Sequence, residues 1–169
     1  MPAGSDERGR PLYQPGWLVK TSAVREQTFP AGKPATVEHT YRPSVGGGAD
    51  TILRKGLRQN KAMAPELERY RRDYCVTDEF LRKLDRIAGE GQANSARIGE
   101  RRVSYILKTG ANWAGPIKDF RLSIDPGGKD RLVSFCAGKL QPSAKDALDF
   151  QATDFTPDRD LKILIIGRF

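Results

Sequence analysis

The run Ile163-Leu164-Ile165-Ile166 is the longest purely aliphatic stretch in the chain. Four branched aliphatic residues between Lys162 and Gly167 read as a buried β-strand. A membrane-spanning helix needs about 20 predominantly apolar residues, and this run is far shorter. The chain therefore has to bury its strands against one another or against helices. With 169 residues, 38% of them hydrophobic and 30% charged, it is long enough to enclose a core of its own.

The other apolar residues fall into short alternating groups separated by Pro and Gly. Residues 1–16 are punctuated by Pro2, Pro11 and Pro15 and by Gly4, Gly9 and Gly16, so they read as a disordered or extended tail. From Trp17, the residues Val19, Thr21 and Ala23 share one face. After Pro30-Ala31-Gly32-Lys33-Pro34, the alternation returns with Ala35, Val37, His39 and Tyr41. Two alternating runs around such a turn predict an antiparallel hairpin over 17–42. Pro43 to Asp50, with Gly46-Gly47-Gly48, reads as a flexible loop. It lacks the Lys-Ser/Thr ending of a phosphate-binding loop.

Residues 51–90 carry the helical signal. Pro65 and Glu66 suit a first helical turn. Thr77 is a natural N-cap for a second helix whose buried stripe is Phe80, Leu81, Leu84 and Ile87, and Gly89 ends it. Beyond Arg101, strands return at Val103–Leu107, Phe120–Ile124, Arg131–Cys136, Leu148–Phe155 and Leu161–Ile166, with turns at Asp125–Gly128 and Thr156–Asp158. The fold class that follows is mainly β (α+β). It is an antiparallel β-sandwich-like domain over 17–169, with a helical insertion at about 51–90 between the early hairpin and the later strands.

The net charge of +8 is concentrated. Residues 51–109 hold 14 Lys/Arg against 8 Asp/Glu, and Arg54, Lys55, Arg58, Lys61, Arg69, Arg71 and Arg72 form a basic patch in the sequence. The ordinary fate of such a run is a solvated helix face. The alternative is weak, salt-sensitive contact with polyanions. Tyr70 and Tyr74 are the only aromatics beside these charges, so no specific nucleic-acid recognition is expected.

Catalytic constellations are scarce. The single histidine, His39, sits beside Val37 and Tyr41 and reads as a half-buried strand residue rather than a general base. One His and two distant Cys cannot make a four-ligand zinc site. Asp154, Asp158 and Asp160 lie close in sequence but lack the spacing of a calcium loop. Asp119, Asp125 and Asp154 are acids near strand ends that could serve a carboxylate pair. No catalytic residue, metal or cofactor is assigned. The remaining candidate is the segment Thr109 to Pro116, in which Trp113 beside Asn112, with Asp119 following, could stack on a sugar or peptide. The commoner fate of such a tryptophan is to fold back over the core.

Several strings carry a resemblance. They are Gln27-Thr28-Phe29-Pro30-Ala31-Gly32, then His39 with Tyr41-Arg42-Pro43-Ser44-Val45-Gly46, and Tyr74-Cys75. The longest is Thr109-Gly110-Ala111-Asn112-Trp113-Ala114-Gly115-Pro116-Ile117 with Asp119-Phe120-Arg121-Leu122. Leu132-Val133-Ser134-Phe135-Cys136 and Asp154-Phe155-Thr156-Pro157 complete the set. In this order they resemble the uncharacterised bacterial family known as domain of unknown function 4424, in its C-terminal portion, over residues 17 to about 165. The resemblance implies a β-rich protein exported to the periplasm or secreted, although no signal peptide precedes residue 17. It implies no activity.

That compartment, taken with a count of only two cysteines, implies a disulfide between Cys75 and Cys136. The functional expectation is a non-catalytic envelope or secreted module that binds a protein or an envelope polymer. The alternative is a carboxylate-dependent hydrolase of envelope polymers. An open sheet edge through which two copies could pair is also expected.

Overall fold

The computed structural model describes residues 2–5, 8–13, 24, 26–40, 42–43, 45–89, 97–143 and 146–169. The chain divides into two compact units, Met1–Tyr41 and Arg42–Phe169. In the first, β1 (Pro2–Ser5) pairs antiparallel with β2 (Pro11–Tyr13). A ladder therefore stands within the stretch read from sequence as a tail.

The expected hairpin over 17–42 is corrected. Of its first arm, 17–29, residues 17–23 and 25 lie outside the described residues, and 24 and 26–29 are not in a strand. The turn is present, with the Lys33 amide donating to the Pro30 carbonyl at 3.4 Å. The second arm is not a strand. Residues 35–40 have no ladder partner among the described residues and are exposed throughout, His39 included. Val37 is 42% exposed. Alternation marks a strand only where one face finds an apolar surface to cover, and here neither face does.

The second unit holds two antiparallel sheets and three helices. The larger sheet has the order β3 (Gly46–Gly48), β4 (Gly99–Tyr105), β9 (Leu161–Gly167), β6 (Arg131–Phe135). The smaller has the order β5 (Ile117–Ser123), β8 (Asp146–Phe155), β7 (Gln141–Ser143). The strands near 101–166 fall where alternation places them, and β7 is an addition. The glycine triplet is a second correction, because it is an edge strand rather than a free loop. A Cβ on Gly47 would lie 2.6 Å from the Glu100 carbonyl oxygen, so only glycine lets β3 approach β4 this closely.

The helices are α1 (Lys55–Arg58), α2 (Ala64–Tyr74) and α3 (Asp78–Ala88). The Thr77 hydroxyl accepts from the Phe80 amide at 3.1 Å and opens α3, and left-handed Gly89 closes it. α2 stops at Cys75, whose φ of 54° is left-handed.

The central strand of the larger sheet, β9, is packed on both faces. Toward the helices, Leu164 and Ile166 meet Leu53, Leu84 and Ile98, all fully buried. Toward the smaller sheet, Leu161 and Ile163 meet Ile124 and Leu122, and Phe135 stands edge-on to Phe150 with ring centroids 4.7 Å apart. The arrangement is three layers: helices, large sheet, small sheet.

Cys75 and Cys136 are bonded, with Cα atoms 5.0 Å apart. The bond joins the link between α2 and α3 to the end of β6, where the Ser134 hydroxyl also donates to the Tyr74 carbonyl at 2.9 Å. It closes a loop of about 60 residues, worth about 4 kcal/mol in the chain-entropy model and often less in practice.

Two outcomes follow for stability. Urea denaturation with and without reductant should show a loss of about 2–4 kcal/mol on reduction, reproduced by Cys136→Ser. In the same assay Leu164→Ala should cost about 2–5 kcal/mol, with the denaturant slope unchanged.

Candidate functional site

The outer face of the small sheet carries the most developed concavity that the described residues form near the sequence candidates. In β5 the residues alternate, with Phe120 and Leu122 turned to the core and Asp119 and Arg121 turned outward. Register places Asp119 opposite Thr153, Arg121 opposite Gln151, and Gln151 opposite Gln141. These residues, with Lys139 and Asp154, line an open groove of about 630 Å³. Asp154 has a left-handed φ of 48° within β8. That twist lets the next residue, Phe155, turn in to 8% exposure and meet Phe120 at 4.8 Å.

Both carboxylates in the groove are matched, while Lys139 lines it with no ion pair among the described residues. Asp119 is bridged by Arg121 at 2.9 Å. Asp154 is bridged at 2.7 Å by Lys118, outside the groove wall. Gln141, Gln151 and Thr153 supply uncharged donors and acceptors between them.

Of the sequence candidates, Asp119 belongs to this wall, while Asn112 and Trp113 do not. They sit in and just after a 3₁₀ turn at Lys108–Asn112. The anchor of that turn is Gly110, fully packed, where an added Cβ would meet Pro157 at 3.2 Å. Trp113 is 66% exposed, so the expectation that it folds over the core is corrected. The short turn spends its one close packing position on Gly110 and carries the indole outward.

The remaining acids are separated. The Asp125 carboxylate accepts from the Gly127 amide at 2.7 Å and shapes a turn. Asp158 pairs with Arg159 at 2.9 Å. Asp160 accepts from the Leu107 and Lys108 amides, each at 3.1 Å. Among the described residues no three His, Cys, Asp or Glu side chains gather to hold an ion.

The basic patch read from the sequence is largely spent within the fold. Arg58 forks onto Asp85 at 2.7 and 2.5 Å and also donates to the Leu53 carbonyl. Arg54 meets Asp50 at 3.5 Å, Arg71 meets Asp78 at 2.8 Å, Arg72 meets Asp73 at 3.2 Å, and Arg69 pairs with Glu66. These pairs consume the charge that the residue count made conspicuous. Lys55 and Lys61 complete the stretch on the exposed surface.

One charged group was hidden from sequence reasoning. Glu100 on β4 is 5% exposed, beneath α2. Its Oε1 accepts from the Tyr70 hydroxyl at 2.6 Å and lies 3.4 Å from Arg102 Nε, and its Oε2 has no hydrogen-bond partner among the described residues. Burial, with the bond to Glu100, holds the Tyr70 phenol well above its ordinary range. The signal in the sequence is slight: a carboxylate in a strand one register step from the buried aliphatic run.

The family model described as "Domain of unknown function (DUF4424)" matches residues 1–164. The chain belongs to that family, and the match begins at residue 1, so it takes in the β1–β2 ladder as well. No curated protein matches the chain. No solved structure matches it either.

Removing the Tyr70 hydroxyl leaves Glu100 without its donor. Tyr70→Phe should cost about 1–3 kcal/mol at neutral pH. A phenol whose folded pKa is raised stabilises the fold fully below about pH 10, and that contribution is lost as pH rises beyond it. Chemical denaturation across the alkaline range should therefore show stability falling above about pH 10, and falling less steeply in Tyr70→Phe.

Proposed function

We propose that this DUF4424 protein is a non-catalytic module acting outside the bacterial cytoplasm, periplasmic or secreted, that binds a polar polymer of the envelope. The groove on the outer face of the small sheet is its binding surface. The observation that carries the reading is the groove itself: about 630 Å³, open, and lined by amides, a hydroxyl, two carboxylates matched by neighbours, and the cation Lys139. A chain of amide- and hydroxyl-bearing units can exchange hydrogen bonds with Gln141, Gln151 and Thr153 without displacing an ion pair. The Cys75–Cys136 bond supports the compartment, because structural disulfides persist where the surroundings are oxidising.

A carboxylate-dependent hydrolase is the second reading, and it draws on Asp119 and Asp154 lining one groove. Glycoside hydrolysis needs one carboxyl set as an acid, typically against apolar surface, and a second free to act as base or nucleophile. Here both are exposed and salt-bridged, which favours binding over turnover.

The test is co-sedimentation with purified peptidoglycan, together with calorimetry on its soluble fragments. The binding reading expects saturable retention without release of new reducing ends, weakened about five- to tenfold, or about 1–1.4 kcal/mol, by Gln151→Ala. Measurable cleavage that disappears in Asp119→Asn or Asp154→Asn establishes the hydrolase instead. Absence of both retention and cleavage across envelope polymers overturns the groove as a site.

A further inference from the structure

A second group of cations lies outside the stretch 54–72. The last turns of α3, the start of β6 and the end of β9 enclose a concavity of about 410 Å³, well separated in its lining from the polar groove. Three cations line it, Lys83, Arg86 and Arg168, against one carboxylate, Asp130. Its apolar wall is Ile87 and Leu132, half-buried and packed on the helix-side core.

The three cations are not equally committed. Lys83 pairs with Glu79 at 2.8 Å, one turn earlier on α3. Arg168 donates one nitrogen to the Ile87 carbonyl at 3.2 Å, which leaves the rest of its fork available. Arg86, like Arg82 one turn earlier on α3, makes no hydrogen bond or ion pair among the described residues and acts on Glu79 only at a distance. A cation in the last turn of a helix offsets the helix dipole, and Arg168 caps a terminal carbonyl. Those two roles need one cation each and no cavity. They do not account for a concavity that gathers exposed cations beside an apolar wall. The potential is reinforced from the adjoining strand, where Arg131 donates to the Arg168 carbonyl at 2.9 Å.

We propose that this concavity binds a phosphate group, held by Arg86 and the free nitrogens of Arg168. The guanidinium fork matches phosphate oxygens two at a time, and Lys83 adds charge without geometry. Ile87 and Leu132 would contact the part of the ligand that carries the phosphate. Asp130 disfavours a ligand with further negative charge on that side and suits a neutral or ammonium-bearing substituent. Free phosphate and a phospholipid headgroup share this chemistry.

The experiment uses the full chain and two probes. Inorganic phosphate is titrated by calorimetry or by amide chemical shifts. Vesicles of phosphatidylglycerol in phosphatidylcholine are compared, by sedimentation, with vesicles of phosphatidylcholine alone. Arg86→Gln removes an exposed side chain without internal bonds, so the fold is retained, which circular dichroism verifies. Lys61→Gln changes the other basic stretch by the same charge.

Saturable binding of either probe, weakened about fivefold or more by Arg86→Gln and unaffected by Lys61→Gln, is the expected result. Response to inorganic phosphate alone identifies a free phosphate ligand. Response to phosphatidylglycerol vesicles alone identifies a lipid headgroup. Equal weakening by the two substitutions, or no saturable binding of either probe, overturns the proposal. The polar groove is untouched by these variants, so peptidoglycan retention is read independently.

Discussion

The strand Leu161–Gly167 is hydrogen-bonded on both edges, to β4 and to β6, and packed on both faces. A strand in that position cannot alternate apolar with polar, because neither face meets water. Leu161, Ile163 and Ile165 serve the small sheet, while Leu164 and Ile166 serve the helices. Each of the two cores thus depends on the other through one backbone. The single break in the pattern, Lys162, falls at the rim of the helix side, where it reaches Asp73 at 3.1 Å. Damage to this strand removes both cores at once, whereas damage to β7 or β3 would loosen an edge.

The helix layer needs more than apolar packing to stay in place. α2 offers mostly charged residues, and Tyr70 is its one fully buried side chain. The phenol anchors it by meeting Glu100, at the cost of desolvating a carboxylate that has only Arg102 close by. Burying an incompletely paired charge is expensive, so this contact contributes position more than stability. The disulfide acts just past the C-terminal end of α2 and fixes the same helix. Cys75 occupies a left-handed position where glycine or asparagine would be easier, and the bond to Cys136 is the compensating gain.

What was legible in the sequence divides along physical lines. Thr77, Gly89 and the run at 163–166 act through local chemistry or through burial so extensive that composition alone reveals it, and the structure places them as read. The arm at 35–40 had the right period and no surface to cover. Gly46–Gly48 had the wrong composition for a strand, yet a neighbour close enough to require it. The basic patch was real as a count and mostly absent as a field, since Asp50, Asp85, Glu66 and Asp78 answer it from one turn to 27 residues away. Pairings of that kind are set by tertiary geometry, which a linear charge tally does not contain. Trp113 failed for the opposite reason: its environment depends on which residue of a short turn faces inward, and Gly110 took that place.

The same reasoning explains why the two candidate surfaces differ in character. The small sheet has a core on its inner face only, so its outer face is free to alternate, and Asp119, Arg121, Gln151 and Thr153 stand there because β5 and β8 must put something polar toward water. A polar face is therefore no evidence of function by itself. What sets this one apart is that Gln141 of β7 and Lys139 before it join the β5 and β8 residues in lining one open groove. The basic concavity lies where the last turns of α3 stand beside the start of β6 and the residue after β9, with Arg168 donating to the Ile87 carbonyl. There the uncompensated charge is not required by the layer architecture, and Leu132 would be covered equally well by a neutral side chain. A surface that the fold demands calls for little explanation. A cluster of cations that the fold does not demand, around a pocket with an apolar wall, is better explained by something that binds it.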